Sequence, residues 1–328
     1  MEALTQLLQD LPADFTAPIF IVQHLSPHST GGFLVKRLTQ ITHRPCVLAQ
    51  HGASFEAGMV YMAPADHHLL INGSGMLVAK GPHENQFRPA IDPLFRSAAA
   101  HFGPAVIGLI LTGFMSDGLA GIEAVSRAGG ITVVQDPADA EFPDLPRNVL
   151  RYLTPTHQVP LAHMGPLLGR LAALPVPAAG EIPRDIKLEA EITERIMTHS
   201  NHNYIEDLEK LGSRAPYSCP DCGGALWAVE KSGEVSRFRC QTGHAYTDES
   251  LLQGMSVTLE ETLWVAMRAL EERRNLLLNM AQQHQHLSAR WAASQQERAD
   301  EMKVHIERLR GVLEISTMAD AEAKQKTG

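Results

Sequence analysis

Three sets of residues in this 328-residue sequence have types and spacings suited to chemistry. The first begins with His24, which follows the apolar run Pro18–Val22 and therefore stands at a predicted strand end. Open α/β sheets place ligand and catalytic groups at the carboxyl ends of their strands. Asp117, in the turn "TGFMSDG" after the apolar stretch 106–111, falls at the same edge. An imidazole and a carboxylate at two such ends can serve as the base and its orienting acid in an acyl-transfer triad. Each also has a plain structural use, as a hydrogen-bonded strand terminus or as the turn-forming aspartate of an Asp-Gly pair.

The second set is Ser26 and Ser29 in "HLSPHSTGG". A nucleophilic serine needs a strand feeding straight into a sharp turn. Ser29 lies five residues beyond His24, so both serines read as loop residues. The third set is "CPDCGG" followed by "CQTGH". Cys219 and Cys222 on one tight turn can grip a metal, and Cys240 with His244 can complete a tetrahedron. Gly223 and Gly224 let the backbone fold round the sulfurs. With four ligands and no fifth nearby, the expectation is one closed, structural zinc per chain, whose removal melts the module. The rival reading is buried free thiols beside an exposed histidine. Cys46, alone in "RPCVLA", reads as a buried inert thiol.

Positioning these groups falls to alternating elements. Leu4, Leu7, Leu8 and Leu11 share a helical face, "IFIV" is a strand, and "GGFLVKRLTQIT" is helical again. "GMVYMAP" and "HHLLING" read as extended, and Asn72-Gly73 predicts a hairpin to "SGMLVAK". The helix "IDPLFRSAAAHFG", the strand "AVIGLILTG", the helix "GLAGIEAVSRAGG" and the strand "ITVVQD" follow. This alternation predicts an α/β fold with a doubly wound, mostly parallel sheet, although the chain opens on a helix with no strand before it. Residues 174–213 read as a linker that starts Pro/Ala-rich and includes an amphipathic stretch, and 214–247 as the small zinc-binding module. Residues 248–318 read as an α-helical hairpin and 319–328 as a disordered tail. Leu252, Met255, Leu259, Leu263, Ala266, Leu270 and Leu277 form one apolar stripe; Met302, Ile306, Leu309 and Leu313 form another after a break near 284. These long helices can pair within one chain or, by self-association, between two.

Net charge of −9 argues against nucleic acid as partner, because phosphate binding needs a basic surface. No apolar run approaches the length of a membrane span and no signal segment is evident, so no membrane insertion and a cytoplasmic location are expected.

The blocks "IVQHLSP", "GMVYMAPADHHLLI", "RPAIDPLFRSAA", "LTGFMSDGLAGI" and "AGGITVVQDPADAEFPDLPRNVL", in that order over residues 2–172, resemble the catalytic domain of the CheB family. These are the protein-glutamate methylesterases of bacterial chemotaxis signalling. The continuation from "CPDCGGALW" to "ETLWVAMRALEERRNLL" resembles the extension of stand-alone members, and nothing resembles a receiver domain. The resemblance implies a Ser-His-Asp triad acting on methylated chemoreceptors, with deamidation of glutamine as a further reaction of the same site. It assigns the histidine to His24, the aspartate to Asp117 and an oxyanion-binding backbone amide to Phe114. Phe114-Met115 replaces the family's Met-Gly there. The family serine lies in a "GASTGG"-type turn between the first strand and a helix beginning "EAL". Since "MEALTQLL" starts on that helix, the sheet is expected to lack its first strand and the triad its serine. Two functions follow: a methylesterase needing that upstream strand, or an inactive signalling or docking module built on the zinc knuckle and hairpin. A zinc hydrolase is disfavoured, because the candidate ligands lie far along the chain from His24.

Overall fold

Short β-branched runs separated by amphipathic segments should alternate strand with helix, and the computed structural model of the chain does so. The structure describes residues 1–178, 180–198, 204–229, 233–286 and 288–327, with side chains described to residue 314. In chain order come α1 (Glu2–Gln9), β1 (Ile19–Ile21), α2 (Gly32–Thr42), β2 (Cys46–Leu48), β3 (Val60–Met62) and the hairpin β4 (His68–Asn72) and β5 (Gly75–Ala79). Next are α3 (Ile91–Phe102), β6 (Ile107–Ile110), α4 (Leu119–Arg127), β7 (Ile131–Gln135), α5 (Asp144–Tyr152), β8 (His157–Val159) and α6 (Leu161–Ala172). The remainder is α7 (Arg184–Met197), α8 (Tyr204–Leu211), β9 (Gly212–Ser218), β10 (Ala225–Val229), β11 (Arg237–Cys240), β12 (Ala245–Thr247), α9 (Asp248–His284) and α10 (Ala289–Thr327).

The parallel strands do not form the single sheet expected. They form two three-stranded sheets, ordered β1-β3-β2 and β6-β7-β8. Continuity breaks between β1 and β6, each the outer strand of its sheet among the described residues. One apolar core nevertheless joins both: Ile21, Val60 and Met62 pack with Val133, and with Leu4, Leu7, Leu8 and Leu11 of the α1 region. Burying a leucine as fully as Leu8 is worth about 1.5–3 kcal/mol, which fixes α1 on this core. Gly165 and Gly169 let α6 approach the chain at Asp10 and Pro12, where a Cβ would lie 2.5 Å and 2.4 Å from the nearest atoms. Cys46 is buried and free.

Two compact units result, Met1–Leu252 and Gln253–Gly328. The segments 1–173, 174–213 and 214–247 all lie in the first. Residues 174–213 carry α7 and α8, because Ile186, Ala190, Ile192 and Leu208 bury an apolar face that the polar surroundings disguise in sequence. In the second unit Met267, Ile306 and Leu313 pack with Leu263, Leu270 and Leu309. Met255 and Leu259, and Leu252 before them, are exposed, so only the later part of the expected stripe is packed. Backbone helix continues over 319–327, read in sequence as a disordered tail. No helix among the described residues is long and apolar enough to cross a membrane.

Candidate functional site

The loops leaving β1 and β6 bring His24 and Asp117 together. His24 Nε2 lies 2.8 Å from Asp117 Oδ2, with the aspartate buried and the imidazole partly exposed. Asp117 sits where α3 begins: the Ile91 amide donates to Oδ2 at 2.6 Å and the Asp92 amide approaches Oδ1 at 3.5 Å. Free amides at a helix start favour negative charge. Asn85 Nδ2 donates to Asp117 Oδ1 at 3.1 Å and to Asp92 Oδ2 at 2.7 Å. Asp92 Oδ1 in turn accepts from the Gly121 amide at 2.6 Å. Burial, and then the charge of Asp117, pushes the Asp92 carboxyl up to about 8. Burial beside the Asp117 carboxyl thus favours the protonated form of Asp92.

Phe87 stacks on the imidazole, with ring centroids 3.8 Å apart and planes 6° from parallel. With Nε2 donating to Asp117, the ring's lone pair resides on Nδ1. This reverses the serine-protease arrangement, in which the aspartate holds Nδ1 and Nε2 serves as base. Ser26 and Ser29 are exposed, and neither is hydrogen-bonded to His24; the Ser29 hydroxyl instead accepts from the Gly31 amide at 3.3 Å.

Phe114 is exposed and packs on Phe142 at 4.3 Å between centroids. Its turn is pinned by Gly113 N–H to Phe142 O at 2.9 Å and by Asn148 Nδ2 to Met115 O at 3.0 Å. Met115 adopts φ 67°, the left-handed conformation that glycine takes without strain. The turn keeps its glycine-like path although glycine is absent.

The second cluster lies on the antiparallel sheet β12-β11-β10-β9. Cys219 and Cys222 occupy the β9–β10 turn, where Gly223 has φ 72°; Cys240 and His244 flank the β11–β12 turn, where Gly243 has φ 106°. The four ligand atoms all lie within 4.8 Å of one another. Cys222 and Cys240 sulfurs are 3.7 Å apart, and His244 Nδ1 is 3.6 Å and 3.5 Å from Cys219 and Cys240. A tetrahedral zinc with ordinary bond lengths demands S–S edges of about 3.8 Å and S–N edges of about 3.6 Å. The residues present therefore fit such an ion. Around them, the Tyr246 hydroxyl lies 3.2 Å from Cys219 Sγ and donates to Asp221. Sharing a proton with Cys240, and then burial, raises the Cys219 thiol to about 11, while the same contact lowers Cys240.

Between the clusters runs a buried ionic network that sequence reading missed. Arg96 of α3 binds both Glu84 oxygens at 2.8 Å and 2.7 Å, and Glu189 of α7 at 3.3 Å. Arg239 of β11 pairs with Glu84 and with Glu189, and Arg237 pairs with Glu189 and Asp185. Burial alone would push Glu84 up, but Arg239 and Arg96 outweigh it and hold its carboxyl at about 2.

The first unit thus defines an α/β protein with a histidine–aspartate pair of the kind acyl-transfer enzymes use. Residues 1–168 match the family described as CheB methylesterase, and the chain belongs to that family. It is 34% identical over 175 residues to a protein-glutamate methylesterase/protein-glutamine glutaminase of Caulobacter vibrioides, covering 52% of this chain and 50% of that one. It is 36% identical over 168 residues to the protein-glutamate methylesterase FrzG of Myxococcus xanthus, covering 51% and 50%. The chain therefore spans about half the length of these two relatives. A Leptospira interrogans protein described as "Putative protein-glutamate methylesterase/protein-glutamine glutaminase" is matched over 89% of its length at 34% identity, and over 52% of this chain. Among solved structures, the Thermotoga maritima CheB methylesterase catalytic domain aligns with TM-score 0.50 and 29% identity, over 52% of this chain and 92% of that one.

Proposed function

We propose that the chain serves hydrolysis of glutamate methyl esters on a chemoreceptor, with deamidation of glutamine as a second reaction of the same site. The observation that carries this is the 2.8 Å contact between His24 and a buried Asp117 already surrounded by donors. His24 is the general base: Nδ1 takes the proton of the triad's serine hydroxyl, a group that neither Ser26 nor Ser29 supplies, while Asp117 steadies the imidazolium. The hydroxyl oxygen attacks the ester carbonyl, His24 returns the proton to the departing methoxide, and methanol leaves. Water then attacks the acyl intermediate by the same route and frees the glutamate. The Phe114 amide, in the turn that carries Asp117, is the oxyanion donor. Cys219, Cys222, Cys240 and His244 hold one structural zinc, which the tetrahedral edge lengths support.

A second reading, a non-catalytic docking module, is favoured by one observation. Among the described residues, no serine or threonine hydroxyl is hydrogen-bonded to His24. One experiment separates the two. The chain is fused behind a strand ending in a Gly-Ala-Ser-Thr-Gly-Gly turn and mixed with methylated chemoreceptor, and methanol is measured. Release that disappears with His24→Ala supports the esterase. Equal release with and without His24 removes the histidine assignment, and no release from a folded fusion supports the docking module.

A further inference from the structure

We infer that the loop His83–Phe87 is a strap through which the metal-binding module holds the His24–Asp117 pair, with Asn85 as the positioning residue for Asp117. This rests on the reading of that pair given above. Asn85 is buried and spends every polar atom of its side chain. Nδ2 donates to Asp117 and Asp92; Oδ1 accepts from the Thr247 amide at 3.1 Å and from the Ser250 hydroxyl at 2.8 Å. The orientation of the amide is set by the Thr247 N–H, which can only donate and therefore takes Oδ1, leaving Nδ2 to face the two carboxyls. The side chain is therefore a fixed link between β6's catalytic turn and the β12–α9 junction.

The rest of the strap repeats this two-sided pattern. Asn85 N–H donates to Ala245 O at 2.8 Å, and Gln86 Nε2 donates to Ser250 O at 2.9 Å, both on the module side. Phe87 covers the imidazole face on the other. Glu84 ties the strap to Arg96 of α3 and to Arg239 of β11. Asn85 and Gln86 both have positive φ, 50° and 71°, as the central residues of a tight turn closed by Glu84 N–H to Phe87 O at 3.2 Å and Phe87 N–H to Glu84 O at 2.9 Å. What seats that turn against Asp117 is the set of bonds from Ala245, Thr247 and Ser250, and the register of β12 on β11 is set by the turn flanked by Cys240 and His244. Loosening that turn would release Ala245 and Thr247, then Asn85, then one of the donors to Asp117.

The test reads the ring nitrogens of His24 by NMR in the full, zinc-loaded chain, with His24 assigned from the spectrum of His24→Gln. In the parent the proton sits on Nε2 and exchanges slowly with water. Asn85→Ala should raise that exchange rate about tenfold or more, as for loss of a hydrogen bond to a charged group, and spread the proton over both nitrogens. Ser250→Ala should move both readouts the same way by less, Ser250→Thr should restore them, and stripping zinc with a chelator should reproduce Asn85→Ala. His68, fixed by Pro82 O and the Ala90 amide, reports whether the fold survives. If Asp117→Asn leaves the His24 signals unchanged, the pair itself has been misread. If Asp117→Asn changes them but Asn85→Ala, Ser250→Ala and chelation do not, the strap is overturned.

Discussion

Replacing Asp92 by asparagine tests the electrostatics of the site without touching His24. Asp92 is buried beside Asp117, and its carboxyl sits at about 8 against 3.8 for the free side chain. Between those values the folded chain binds a proton that the unfolded chain has released, so stability falls as pH rises. It is greatest below the unfolded value and is lost as pH climbs through the folded one. At about 1.4 kcal/mol per unit, the Asp92 contribution should drop by about 2–3 kcal/mol between about pH 5.5 and about pH 7.5. The Asp92→Asn variant carries no such slope, but it turns an amide toward Asn85 Nδ2, which costs roughly 1 kcal/mol at every pH. The informative quantity is therefore the parent-minus-variant difference at the two pH values, from urea unfolding followed by fluorescence of the buried Trp227. Titrating groups remote from Asp92 cancel in it. A difference that stays constant within about 0.5 kcal/mol would mean that Asp92 is ionised throughout, and would refute a protonated carboxyl beside Asp117.

Three further outcomes are expected. Glu84→Gln leaves Arg96 and Arg239 sharing Glu189 alone and should destabilise the chain by about 3–5 kcal/mol in urea unfolding. Cys219→Ser should abolish the binding of a single zinc, measured by elemental analysis, and chelation should expose the amides of β9–β12 to hydrogen exchange. Met115→Val should cost about 1–2 kcal/mol, since a β-branched residue tolerates φ 67° poorly, whereas Met115→Gly should be neutral or mildly stabilising.

The alternation of strands and helices was legible because each element is short and carries its own period, as Leu4, Leu7, Leu8 and Leu11 do. His24 and Asp117 could be placed at one edge from topology alone, since both follow apolar strands in an α/β order. The four metal-ligand candidates announce themselves by two cysteine turns. Asn85, Phe87 and Asp92 gave no such signal: "HENQF" has no period, and a lone asparagine reads as loop. The same holds for Glu84, Glu189, Arg237 and Arg239, which look like surface charges until their partners are brought beside them from separate segments. The one hint was the Asp-Pro start of α3, which marked a helix N-terminus but not the carboxylate that would sit on it.

That difference bears on how the site works. A histidine–aspartate pair at the ends of β1 and β6 is joined to the rest of the unit through Asp117, which takes the one hydrogen bond given for the partly exposed ring, and through Phe87, which stacks on that ring. Whatever fixes Asp117 therefore helps to orient the His24 ring. Two of its donors come from the start of α3 and one from Asn85, and only the last is tied to residues beyond 244. Residues 1–173 supply His24, Asp117 and the two α3 amides by themselves. Its final orientation, in this chain, depends on β12 and the first turn of α9, so cutting the chain after residue 173 should loosen the Asn85 bond to Asp117 and weaken the His24–Asp117 contact, read as faster exchange of the Nε2 proton.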